Sequence, residues 1–227
     1  MSQYRKTIFA NDEIYHVYNR GIDKRPTFTS RREYKRAVLT LDYYRYEKPP
    51  LRLSKALTIN LEERKPFFEN LRNKSEKIVE IVAYCLMPNH FHLLLKQKLD
   101  NGISTFVSNF TNSYTRFFNT RNKKREGPLF QGVFKAVHIE DNEQLLHIQR
   151  YIHINPVVSF IVSAKNLDNY EWSSLQEYVG LDEKIICDKE IILDQFSSIK
   201  NYKKFLFDQI NLIWNRQIQT ISRCSQR

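Results

Sequence analysis

The sequence predicts an α+β sandwich of βαββαβ order, a ferredoxin-like arrangement with one antiparallel sheet and two helices on one of its faces. Three observations predict it. Runs rich in Val, Ile and Tyr alternate with segments of helical periodicity in the order strand, helix, strand, strand, helix, strand. The two middle strands are joined by a Met-Pro-Asn turn at Pro88-Asn89, which makes them antiparallel neighbours. A further helical pattern follows the last strand and runs into Asn155-Pro156.

"EIYHVYNRG" (Glu13 to Gly21) reads as a strand stopped by its glycine. In "SRREYKRAVLTLDYYRYE", Ser30 is a fitting N-cap, and Tyr34, Val38, Leu41 and Tyr44 recur at helical spacing until Pro49-Pro50 closes the helix. Residues 51–75 are charged and weakly patterned, an insertion with one short helix. "KIVEIVAYCLMP" and "HFHLLLKQ" are strands. From Gly102, Ile103, Phe106, Phe110, Tyr114 and Phe117 mark the second helix. "EGPLFQG" is a loop and "VFKAVHIE" a strand. "DNEQLLHIQRYIHINP" opens on Asp141 with Gln144 three residues on, a capping pattern, and Pro156 is expected to end or kink that helix at Asn155. Residues 1–160 then form one domain, with the insertion at about 50–75. Residues 161–227 form a mainly helical C-terminal extension whose elements the pattern does not place.

Composition narrows the function classes. The 227 residues, 41% of them hydrophobic, can bury one sizeable core. No run approaches the roughly 18 apolar residues of a membrane span, and "MSQYRKTIFANDE" lacks the apolar centre of a signal peptide. Cys85, Cys187 and Cys224 form no C-x-x-C pair, which suits a reducing compartment and argues against a cysteine-rich zinc site. A soluble, cytoplasmic protein is expected. Its 36 Lys and Arg outnumber 25 acidic residues, for a net charge of +11. Such a surplus attracts polyanions, and a 13% aromatic content supplies rings on which unpaired bases stack.

The chemistry concentrates in two places. In a strand, residues two apart share a face, so His90 and His92 project side by side, ~7 Å apart along the chain, while Phe91 points the other way. Two neutral imidazoles so placed can bind one divalent metal. A bare His-x-His more often only satisfies hydrogen bonds at a sheet surface. On the last helix, His147, Tyr151 and Asn155 follow one another at four-residue spacing, beside an apolar stripe of Leu145, Ile148 and Ile152. A tyrosine there can serve as a nucleophile and an asparagine oxygen as a metal ligand. Taken singly, each also fits an ordinary structural place.

Together "YHVYNRG", "YCLMPNHFHLLLKQ", "SYTRFFNTRNKKREGPLFQGVFK" and "QRYIHINPV" resemble the IS200/IS605-like single-tyrosine HUH transposases, most closely their REP-associated tyrosine transposase branch. The resemblance runs in order from Tyr15 to Val158. It implies the HUH transposase fold, a Mg²⁺ or Mn²⁺ ion on His90, His92 and Asn155, and Tyr151 as nucleophile. It further implies cleavage and rejoining of single-stranded DNA through a 5′-phosphotyrosine and a free 3′-OH. The expected partner is single-stranded DNA with a palindromic, REP-like hairpin, bound in the nucleoid by a monomer or homodimer. Two departures stand out. Family members often carry Arg where this chain has Val133, and the 50–75 insertion exceeds the minimal transposase.

Basic clusters suggest where DNA lies. Residues 20–36 and 111–136 each carry a net charge of +5, and Arg116, Arg121, Lys123, Lys124, Arg125 and Lys135 are the candidate phosphate contacts. Tyr84 and Tyr114 are weaker candidates for the nucleophile, since one sits in a strand and the other in a core stripe. His16, His138 and His153 are expected to be structural or surface residues, and Cys85 a buried small hydrophobe. Two other functions compete with the transferase: a domesticated, non-catalytic binder of hairpin DNA, and a hairpin-recognising RNA-binding protein. A two-histidine phosphodiesterase would need paired His-x-Thr/Ser motifs, and the sequence has none.

Overall fold

The computed structural model describes residues 7–122, 125–183 and 186–224, with side chains through Ile213. Four strands, β1 (Ile14–Arg20), β2 (Val79–Met87), β3 (His90–Gln97) and β4 (Lys135–His138), form one sheet in the order β2-β3-β1-β4. Strand β1 is antiparallel to both β3 and β4, with Tyr18 opposite His92 on one side and Lys135 on the other. Helices α1 (Arg31–Tyr44) and α4 (Gly102–Arg121) make the two crossovers and pack on each other. The βαββαβ order read from the sequence is the one observed.

Local chemistry sets the element ends. Ser30 stands at the N-cap of α1, and the Glu33 carboxylate accepts the N–H groups of Thr29 (2.7 Å) and Ser30 (3.2 Å). Tyr34, Ala37, Leu41 and Tyr44 form its buried stripe, with Ala37 in the place expected for Val38. The helix stops at Tyr44, short of Pro49-Pro50. In α4 the stripe is Ile103, Phe106, Phe110 and Tyr114, completed by Phe118 rather than Phe117.

The loop after β1 clamps the β2–β3 turn. Gly21 N–H reaches Asn89 O (2.7 Å), while Thr27 and Phe28 N–H both reach Pro88 O (2.8 and 3.0 Å). A side chain at Gly21 would place its Cβ 2.2 Å from Arg25 O, so this close return of the backbone needs glycine.

Two expectations are corrected. The 50–75 insertion holds not one short helix but two, α2 (Leu53–Ala56) and the longer α3 (Leu61–Lys74). Asn60 caps α3 by accepting Glu63 N–H (2.9 Å), with Glu62 and Glu63 at its N-terminus and Arg72 and Lys74 at its end. Its apolar pattern is faint because Leu71 is its one buried residue. The second correction concerns α5 (Asn142–Val158), which continues through Pro156 instead of ending at Asn155. A proline one turn from the end removes a single intrahelical donor. Ser159 N–H still reaches Asn155 O (2.9 Å) and Ile161 N–H reaches Pro156 O (2.8 Å), so the last turn closes.

By compactness the chain divides into two units, residues 1–81 with 86–139 and residues 82–85 with 140–227. Helix α5 thus groups with the C-terminal elements, upstream of the 160/161 boundary drawn from the motifs. In the second unit α5 packs against a 3-10 turn (Ala164–Asn169) and α8 (Ile199–Cys224); the short helices α6 (Leu175–Tyr178) and α7 (Glu190–Leu193) lie between that turn and α8 in sequence. His153 lies at its centre, bonded to Tyr202 Oη (2.6 Å) and Ser174 Oγ (2.7 Å). Among the described residues no helix is long and apolar enough to cross a membrane.

Candidate active site

Alternation along β3 divides its side chains between the two faces of the sheet. Phe91 is fully buried and meets Phe110 of α4 edge-on at 5.2 Å between ring centroids, so the helices cover its face. His90 and His92 stand on the other face with ring centroids 5.0 Å apart. The sequence pairing of these two imidazoles is realised.

Hydrogen bonds fix which nitrogen each ring can offer. Asn89 Nδ2 donates to Lys24 O (3.1 Å), which turns Asn89 Oδ1 toward His90 Nδ1 at 2.7 Å. An amide oxygen only accepts, so His90 donates from Nδ1, and in its neutral form this leaves the lone pair on Nε2. His92 Nδ1 is 2.9 Å from His16 Nε2, so a metal held by His92 takes its Nε2. Burial lowers the His92 pKa well below the ordinary histidine value, helped by the neighbouring His16 and His90, and burial alone brings His16 down to about 4. Both rings are therefore neutral at pH 7, the form that ligates metal. This donor chemistry fits a divalent cation. Among the described residues no three or more His, Cys, Asp or Glu are grouped to hold a metal ion.

Tyr151 and Asn155 lie one turn apart on α5, in the second unit, whereas the histidine pair belongs to the first. Along their stripe His147 is exposed, Tyr151 half-buried and Asn155 buried. Asn155 Oδ1 accepts a bond from Ser159 Oγ (3.2 Å), and a second lone pair on that oxygen remains chemically capable of ligation. The adjoining stripe is as expected at Leu145 and Ile152, with Ile148 half-buried.

The two weaker candidate tyrosines are poorly suited to attack. Tyr114 is fully buried, donates to Thr27 O (2.7 Å), and has its pKa pushed up by burial. Tyr84 is buried in β2 with its pKa raised, again by burial first. His138 pairs with Glu13 (2.7 Å) at the sheet edge and His153 belongs to a buried network, both structural as expected. His16 is buried too, but against the candidate site. The β1 alternation that puts His16 and Tyr18 on one face was visible in the sequence; the β1–β3 register that carries them to His92 was not.

The basic residues separate by face. Arg116 and Arg121 line an open groove of about 1150 Å³ in the helical layer, together with Arg32, Arg36, Lys48 and Arg52 and, among the described residues, no carboxylate. Arg36 lies over the Phe117 ring at 5.2 Å, and Arg121 keeps a 3.8 Å ion pair to Glu33. Arg125 is turned inward, donating to Pro128 O and lying over Phe118. Lys135 is exposed opposite Tyr18, and so shares the histidine face. Val133, at the family's Arg position, is exposed just before β4. Lys123 and Lys124 lie outside the described residues.

Comparison with known proteins agrees with this architecture. Residues 57–155 match the family model described as "Transposase IS200 like". A curated protein of Haemophilus influenzae, provisionally named a REP-associated tyrosine transposase, is 31% identical over an alignment of 87 residues that covers 34% of this chain and 49% of that protein. The chain thus spans about half the length of the curated relative it matches. A solved structure of a REP-associated tyrosine transposase bound to a REP hairpin superposes with a TM-score of 0.54 at 15% identity, covering 83% of this chain and 98% of that one. That likeness is one of fold. Residues 57–155 are thus similar to the IS200-like transposases, and the curated relative bears out the resemblance to their REP-associated tyrosine branch.

Proposed function

We propose that this protein is a metal-dependent strand transferase that cuts and rejoins single-stranded, hairpin-bearing DNA of the REP type. The observation that carries the reading is the histidine pair, two imidazoles with ring centroids 5.0 Å apart on one sheet face, each with Nδ1 engaged. The family match supports DNA as substrate, and the solved neighbour's REP hairpin supports a hairpin form.

His90 and His92 would hold Mg²⁺ or Mn²⁺ through Nε2, with the Asn155 side-chain oxygen as third protein ligand. When bound, the cation supplies Lewis acidity to the scissile phosphate. The Tyr151 hydroxyl loses its proton and attacks phosphorus; the Tyr151 Oη–P bond forms as the P–O3′ bond breaks, and the departing O3′ takes up a proton. A 3′-OH from another strand can reverse this step, so rejoining needs no ATP. The reading requires Tyr151 and Asn155 to reach the histidine pair in the reacting state, from the same chain or from a second copy. Arg116 and Arg121 would neutralise backbone phosphates from their groove, and Lys135 from the histidine face.

The decisive test is covalent capture. Wild-type protein incubated with hairpin-bearing single-stranded DNA and Mn²⁺ is expected to form an adduct that survives denaturation. Tyr151→Phe and EDTA-treated protein are expected to form none. An adduct with Tyr151→Phe would remove Tyr151 as nucleophile, while tight hairpin binding without any adduct would favour the non-catalytic binder.

Groove contacts have their own readout. Removing Arg32 and Arg116 together should weaken hairpin binding across sequences and flatten the plot of log K against log salt by about 0.7–0.9 per lost phosphate contact. An unchanged slope would take the groove out of the DNA path.

A further inference from the structure

His16 is a buried histidine whose ring nitrogen meets a candidate metal ligand. It sits on β1 opposite Leu94, two pairs along from the Tyr18–His92 pair, so His16, Tyr18, His90 and His92 share one face of the sheet. Its Nε2 is 2.9 Å from His92 Nδ1, the ring centroids are 5.1 Å apart and both residues are 7% exposed. The Tyr18 ring stands 5.1 Å from His16 and 5.9 Å from His92 and closes the cluster from the side.

One proton lies between those two nitrogens, and its position decides what His92 can do. If His16 Nε2 carries it, neutral His92 must hold its own proton on Nε2, where a cation would bind. If His92 Nδ1 carries it, His16 accepts, and His92 Nε2 keeps its lone pair. His90 is already held in the Nδ1–H form by Asn89, whose amide is oriented by Lys24 O. Two rings that share one ion through Nε2 need the same tautomer.

We propose that His16 is a positioning residue that accepts the Nδ1 proton of His92, holding this ring as the Nδ1–H tautomer and fixing its orientation for a divalent cation. The proposal rests on the metal reading given above. The bond also sets His16 itself, which must carry its proton on Nδ1. Ligating histidines commonly have their second nitrogen tied in this way, and loss of such a partner costs about 10–100-fold in metal affinity.

Two measurements test it. In metal-free wild type, long-range ¹H–¹⁵N spectra of the imidazoles should report the Nδ1–H form for His16, His90 and His92. In a Mn²⁺ titration followed by electron paramagnetic resonance, His16→Phe should bind about 10–100-fold more weakly than wild type. His16→Gln, whose amide oxygen can accept the same proton, should recover most of the loss, and thermal melts would show whether each variant is folded. Wild-type His92 found as Nε2–H, or wild-type affinity in folded His16→Phe, overturns the positioning role. A wild type that binds no Mn²⁺ overturns instead the metal reading beneath it, and the tautomer spectrum separates these failures even if His16→Phe does not fold.

Discussion

Replacing both His90 and His92 by alanine is expected to slow Mn²⁺-dependent cleavage of hairpin DNA by roughly 10³-fold or more. A cation acting as Lewis acid on a phosphate contributes several kcal/mol to transition-state stabilisation, and each ~1.4 kcal/mol is a factor of ten in rate. Neither histidine belongs to the basic groove, so hairpin affinity in EDTA should stay near the wild-type value. Single-turnover cleavage beside fluorescence anisotropy separates the two quantities. Cleavage at the wild-type rate in the double variant would end the assignment of this pair. The structural cost falls on His92, which is buried and bonded to His16, whereas His90 is half-buried; thermal melts of the variant separate lost folding from lost catalysis.

Phe91→Ala is expected to do the reverse, unfolding the protein more readily while leaving the ligand atoms in place. Phe91 is fully buried and meets the Phe110 and Phe130 rings edge-on at 5.2 and 5.4 Å. Removing a buried phenyl ring costs about 3–5 kcal/mol through lost transfer energy and the cavity left behind. At roughly 2–4 °C per kcal/mol for a chain of this size, Tm should fall by about 10 °C. Phe91→Leu, which refills most of that space, should lose much less. Calorimetry of the three proteins decides it; a Tm unchanged in Phe91→Ala would mean that this ring is not part of the core.

Much of this architecture was legible because it is local. Alternation placed Phe91 against the histidines, and helical spacing marked Ile103, Phe106, Phe110 and Tyr114 as the inner face of α4. What escaped was set by pairing between distant segments or by weak burial. Helix α3 turns only Leu71 inward, so amphipathic spacing could not reveal it. The reach of α5 past Pro156 depends on backbone bonds made beyond the proline. His16 joins His92 across a strand pair some seventy residues apart in sequence. The basic run 111–136 also looked like one surface, yet its Arg116 faces the helical groove and its Lys135 the histidine side. Charge counting along the chain merges faces that a strand register separates.

The contact between Asn89 and Lys24 bears on how relatives should be compared. What Lys24 contributes is a main-chain carbonyl, presented from a backbone with φ of 58°, and its side chain plays no part in that bond. Any residue tolerant of that left-handed conformation, asparagine and glycine above all, could stand there and still turn Asn89 toward His90. Position 24 can therefore drift in identity among descendants while its shape is held under selection. A column of varied residues in an alignment would conceal a site whose geometry had been kept.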